Sequence, residues 1–145
     1  MDDPSITVGL DYSEGAVNAL GEARRMAVAL GARLDIVHVA EPDAGNNPRS
    51  GARWSVRTLG RGGESFVERA GVPWVELTRH VRARRPLMLV VGSHGASGYH
   101  PLRPGSTAAR LAVSAPCPVL IVSRTGGVPV PEEMESPLEE SGGGA

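Results

Sequence analysis

An apolar run, Leu87-Met88-Leu89-Val90-Val91, stops at Gly92, a glycine-rich loop follows, and a short helical pattern starts near Ser106 and ends before Pro116. A strand, a loop and a helix start in that order are how α/β proteins hold phosphate. Glycines let backbone N–H groups approach an anion with no Cβ in the way. The unpaired N–H groups of a helix start point the same way, and the helix dipole favours negative charge there. Ser106 can cap the helix or donate its hydroxyl to a phosphate oxygen, and His94 and Arg103 offer further donors. The alternative is an ordinary glycine-rich loop between a strand and a helix.

The chain before this stretch alternates in the same manner. Ile6-Thr7-Val8-Gly9-Leu10 reads as a short buried strand that Asp11-Tyr12-Ser13 ends. Ser13 is a good N-cap for a helix over 14–30, whose face Ala16, Leu20, Ala23, Ala27 and Leu30 repeats at four, three, four and three. Gly31 is placed to close that helix. Leu34–Val39 is a second strand, so the two strands are parallel and the crossover right-handed. His38 reads as a structural histidine of that strand rather than a ligand.

Residues 41–63 carry loop chemistry and are assigned one short helix. Glu64–Arg69 is a third strand, expected at a sheet edge. Gly71-Val72-Pro73 opens a helix whose buried face is Trp74, Leu77, Thr78 and Val81, with Pro73 in the first turn. Arg82, Arg84 and Arg85 make its solvated end, and Pro86 ends it. Leu87–Val91 is strand four, and Val119–Val122, entered through Pro116 and Pro118, is strand five. Alternation of this kind gives a parallel sheet with helices on both faces.

Only 3% of the residues are aromatic, so the core must be aliphatic. The net charge of −1 divides unevenly. Residues 125–145 hold five glutamates and no base, which leaves residues 1–124 with fifteen arginines against eleven acids, or +4. That suits an anionic ligand and is far from a nucleic-acid surface. No run of 18 apolar residues exists to span a membrane, and the N-terminus lacks the apolar stretch of a signal peptide. A cytoplasmic protein is expected. The single cysteine, Cys117, cannot form an internal disulfide and reads as a small buried hydrophobe. Residues 1–124 are therefore expected as one domain, and 125–145, rich in Gly, Pro and Glu, as a disordered tail.

The spacing Gly92-x2-Gly95-x9-Gly105-Ser106 resembles the nucleotide-binding signature of the universal stress protein family, specifically its bacterial, ATP-binding members. The flanks agree: Leu89-Val90-Val91-Gly92-Ser93-His94-Gly95 before it and Ala115-Pro116-Cys117-Pro118-Val119-Leu120-Ile121-Val122 after it. The first strand with its Asp11-x-Ser13 turn, and Leu34–Val39 followed by Glu41-Pro42, are similar as well. The pattern is neither a Walker A loop nor a Rossmann fingerprint, and the chain contains no lysine.

The resemblance implies a single-domain, three-layer α/β/α, Rossmann-like fold with a five-stranded parallel sheet in the order 3-2-1-4-5. It implies an adenine nucleotide, ATP first, with Mg²⁺ accompanying the phosphates rather than held in a protein cage. Asp11, after Leu10, would meet the adenosine end, and backbone at Val39 would bond adenine. Gly92 to Gly95, with Val91 before them and His94 among them, and the turn at Gly105-Ser106-Thr107 would hold ribose and phosphates. It also implies a homodimer through Val119–Val122. Departures from the family pattern are Ala108 where a second hydroxyl is frequent, Pro104 before Gly105, Leu87 at strand four, and Val72 where a capping side chain is usual.

Three functions follow from these residues. The first is a non-catalytic, ATP-binding stress-response or signalling homodimer whose downstream protein partner the sequence does not name. The second, favoured by Ala108 and Pro104, is a nucleotide-free structural or interaction dimer of the same fold. The third is an enzyme such as a weak ATP hydrolase. It is the least supported, because no Gly-x-Ser-x-Gly elbow exists and His38, His80, His94 and His100 share no metal-ligand spacing.

Overall fold

The first strand is central to the sheet although it is the first to appear in the chain. The computed structural model describes residues 3–41, 63–94 and 105–123. Within them lie β1 (Ser5–Leu10), α1 (Glu14–Leu30), β2 (Arg33–Ala40), β3 (Glu64–Ala70), α2 (Pro73–Arg84), β4 (Met88–Gly92), α3 (Ser106–Ser114) and β5 (Val119–Val122). The five strands form one sheet in the order β3-β2-β1-β4-β5, every neighbouring pair parallel. This is the expected order, with β3 at one edge. The short helix assigned within 41–63 and the tail over 125–145 lie outside the described residues.

Helix α1 has the predicted bounds because both ends are chemically specified. Ser13 Oγ accepts from the Ala16 N–H at 3.1 Å, and Gly31 closes the helix in the left-handed region at φ 62°. Its buried face is mostly alanine, with Ala16, Ala19, Ala23 and Ala27 beside Leu20, so the helix approaches the sheet closely. Leu30, expected on that face, is 46% exposed instead. The last turn has already run past the sheet.

Side chains alternate across β1 and divide the core in two. Ile6, Val8 and Leu10 pack with α1, Leu34, Ile36 and Val90. On the opposite side Val37, Val39, Leu89 and Val91 pack with Leu77 and Val81 of α2 and with Ala108 and Leu111 of α3. Burial on both faces is what lets strands as short as β4 read as unbroken apolar runs.

Helix α2 begins at Pro73 with Val72 as an N-cap that offers no side-chain bond. It ends at Arg84 with Arg85 in the left-handed region at φ 49°. Its arginine-rich end, at Arg82, Arg84 and Arg85, is exposed as expected. Across the edge of the sheet, the Arg24 guanidinium of α1 grips the Glu64 carboxylate of β3 through two bonds, 2.7 and 3.0 Å. That carboxylate holds the arginine's proton more firmly than usual. Cys117 is half-buried rather than buried, lying against the core side that α2 and α3 cover. Burial raises its thiol pKa, partly offset by a backbone bond at Leu89.

Candidate functional site

Helix α1 covers one face of the sheet, and α2 and α3 cover the other. The chain leaves β1 toward β2 on one side, while β4 occupies the other side. The carboxyl ends of β1 and β4 therefore flank the point where strand order reverses, the usual position for a ligand crevice in open α/β sheets. The register pairs Val8 with Val90 and Leu10 with His38. Carried on by one or two residues, it sets Leu10 level with Gly92, and Asp11 level with Val39. Three of the predicted loci thus meet at one rim. Leu10, Val39 and Val91 turn their side chains into the core there, so what they offer a ligand is backbone.

Asp11 is exposed and terminates β1. One carboxylate oxygen accepts from the Ser13 N–H at 2.9 Å and from the Ser13 hydroxyl at 2.5 Å. Because the same hydroxyl oxygen accepts from Ala16, Asp11 is coupled through Ser13 to the start of α1. Tyr12, between them, adopts φ 62°, which a bulky residue takes only where its surroundings hold it. Its ring lies 4.7 Å from that of His38, tilted by 53°. His38 is the expected structural histidine, and its Nδ1 lies 2.7 Å from the Leu10 carbonyl oxygen.

Gly92 is required for a reason that loop chemistry does not reveal. A Cβ there would lie 2.8 Å from the Gly15 carbonyl carbon, 3.0 Å from its oxygen and 3.1 Å from Ala16 N. A Cβ on Gly15 would in turn meet the His94 carbonyl oxygen at 3.1 Å. The first turn of α1 therefore rests on the end of β4, backbone against backbone. Gly92 is first of all a packing residue.

Beyond it, the Ser93 N–H donates to Val122 O at 2.8 Å, extending the β4–β5 pairing. Ser93 Oγ and His94 Nδ1 are 2.8 Å apart. Neighbours in a regular strand face opposite ways, but these two lie in the bend after β4 and meet. The Gly105 N–H donates to Ser93 O at 2.5 Å, which fastens the start of α3 beside the end of β4. That N–H is consequently committed within the protein.

Gly105, not Ser106, is the N-cap of α3, and no side chain caps this helix. Ser106 is exposed at the first helical position and Thr107 is half-buried beside it. Unlike α1, then, α3 presents first-turn N–H groups that no side chain among the described residues caps. Ala108 is 2% exposed in the core with Leu111 and Val91. Gly95, Arg103 and Pro104 lie outside the described residues.

A second polar cluster, away from the rim, lies beneath α2. Asp35 of β2 accepts from the Ser65 hydroxyl at 2.6 Å and lies 3.6 Å from Nε2 of His80, which is 1% exposed. The Arg69 guanidinium stands 3.4 Å from His80 Nδ1. Arginine only donates, so Nδ1 carries the lone pair and Nε2 the proton. Burial, then the Arg69 charge, lower the His80 pKa, and Asp35 opposes them. Two signals in the sequence point here: a carboxylate inside an apolar strand, Leu34-Asp35-Ile36, and His80 sharing the helical stripe of Leu77 and Val81. Among the described residues, no three His, Cys, Asp or Glu side chains gather as a metal site, and no helix is long and apolar enough to cross a membrane.

The model of the universal stress protein family matches residues 55–123. Universal stress proteins of two Mycobacterium tuberculosis strains are 38% identical over 143 residues, an alignment covering 88% of this chain and 50% of theirs. The chain thus spans half the length of the curated relatives it matches. A solved universal stress protein from Lactobacillus plantarum superimposes with a TM-score of 0.72 at 20% identity, covering 84% of this chain and 99% of that one. Another, described as a universal stress protein in complex with cAMP, gives a TM-score of 0.64 at 24% identity, covering 84% and 98%. At these identities the two structures speak for the fold.

Proposed function

We propose, from its likeness to the universal stress protein family over residues 55–123 and to relatives 38% identical over 143 residues, that this chain belongs to that family and binds an adenine nucleotide at the rim shared by β1, β2 and β4. In this reading it acts without catalysis, in stress response or signalling, as a homodimer. The observation that carries the reading is the start of α3. Its first-turn N–H groups lack a capping side chain, and the Gly105–Ser93 bond keeps them beside the Asp11 strand end. Such a helix start receives a phosphate through aligned donors and the helix dipole. Asp11 and the Val39 backbone supply polar groups for the adenosine end. The relative solved with cAMP supports an adenine nucleotide as the guest class.

The residues proposed for the nucleotide are Leu10, Asp11, Val39, Val91, Gly92, His94, Gly95, Gly105, Ser106 and Thr107. Gly92 acts by letting α1 approach, and Gly105 by fixing the helix start. His94 and Ser106 offer side-chain donors to phosphate. Mg²⁺ is proposed only as an ion carried by the phosphates, because among the described residues no three His, Cys, Asp or Glu side chains gather as a metal site.

Two observations favour the nucleotide-free dimer as the second reading. Gly92 and Gly105 both have structural duties that need no ligand, and Ala108 places a methyl in the core. The Ser93–His94 contact keeps the hydrolase reading in view. One experiment separates the three. The purified protein is denatured, released nucleotide is identified by chromatography, and ATP binding is measured by calorimetry. Retained or bound adenine nucleotide, with affinity lost in Gly105→Val, supports the first reading. An empty protein that ignores ATP supports the second. ADP accumulating from ATP, and abolished by Asp11→Ala, supports the third.

A further inference from the structure

We infer that His38 is a positioning residue that holds Asp11 in place by gripping the chain on both sides of it, and that it does so as the Nδ1–H tautomer. The consequence for ligand affinity rests on the nucleotide reading above; the grip itself does not. A carbonyl oxygen only accepts, so the 2.7 Å contact with Leu10 O requires the proton on Nδ1. Nε2 then carries the lone pair in the neutral ring. The same imidazole packs on the Tyr12 ring. One side chain thereby fixes the residue before Asp11 through its backbone and the residue after it through its ring.

Tyr12 is where the chain most needs holding. Its φ of 62° is unfavourable for a bulky side chain, and such a conformation persists only where neighbours determine it. From there the contacts run on without a break. Asp11 accepts both Ser13 bonds, and Ser13 caps α1. A histidine that merely filled space would need neither the carbonyl bond nor the ring contact.

Three measurements test this. In the unmodified protein, the ¹⁵N shifts of the His38 ring near pH 8 are expected to show a protonated Nδ1 and a bare Nε2; the opposite tautomer overturns the inference. His38→Phe keeps a ring against Tyr12 and removes the donor, while His38→Asn keeps a donor near the Nδ1 position and removes the ring. His38→Phe is expected to speed exchange of the Ser13 amide, which is bonded to Asp11, and to weaken ATP binding about tenfold. His38→Asn is expected to recover part of both. Native exchange and native affinity in His38→Phe would end the proposal. Should His38→Phe fail to fold, the tautomer and His38→Asn decide. Should the unmodified protein bind no ATP, the nucleotide reading falls, and the tautomer and the Ser13 exchange still decide whether His38 holds the turn.

Discussion

A methyl group on Gly92 would have nowhere to go. Its neighbours at 2.8 to 3.1 Å are the backbone of Gly15 and Ala16, which cannot rotate aside as a side chain can. Gly92→Ala is therefore expected to push the first turn of α1 off the end of β4, at about 1–3 kcal/mol as for other overpacked sites. The check is urea unfolding, with a lower midpoint and an unchanged slope. The sequence marks this glycine through its spacing, and that spacing speaks of a ligand. It does not show that a helix more than seventy positions earlier demands the same residue. The contact between Ser93 and His94 was hidden for a related reason: strand alternation separates neighbours, and the bend after β4 cancels it.

Among the elements, α1 and α2 show how far periodicity carries. The bounds of α1 follow from Ser13 and Gly31, whose capping roles are written in their types. The end of α3 was legible in the same way. Its start near Ser106 was legible too; what differs is the cap, because Gly105 takes that position and Ser106 is already helical. What α2 buries was half legible. Leu77, Thr78 and Val81 belong to the predicted face, but His80 is the residue that ties α2 to β2 and β3.

That tie makes stability depend on pH. The folded His80 resists protonation, since its pKa is lowered, whereas the unfolded chain takes up the proton near pH 6.5. The unfolded state binds more protons in that window, so the stability is complete above about pH 6.5 and declines as pH falls below it, until the folded pKa is reached. The slope is bounded by about 1.4 kcal/mol per pH unit for one proton. Urea titrations between pH 5 and 8 are the check, and His80→Gln should flatten this part of the profile.

For the molecule as a whole, the two sheet edges differ. At β3 the edge is charged and clamped: Glu64 is bound to Arg24, and Arg69 faces Glu76 at 3.9 Å. At β5 it is apolar, with Leu120 and Ile121 each more than a third exposed. An apolar edge strand invites another chain, and the proposed homodimer covers it with a second copy. Light scattering at micromolar concentration should give a dimer mass, and Ile121→Lys should reduce it to that of a single chain. The parallel architecture was legible because strands and helices alternate; the strand order was not, since it depends on which side of β1 receives β4, a choice made by packing between distant segments.

Placing the earliest strand in the middle has a consequence for biosynthesis. As the chain leaves the ribosome, β1, α1 and β2 can assemble first, because the contacts they make with one another join consecutive segments. The other flank of β1 must wait until β4 has emerged, some eighty residues later. Through that interval one flank of β1 stays unpaired, and the rim around Asp11 gains its second wall only once β4 has been made.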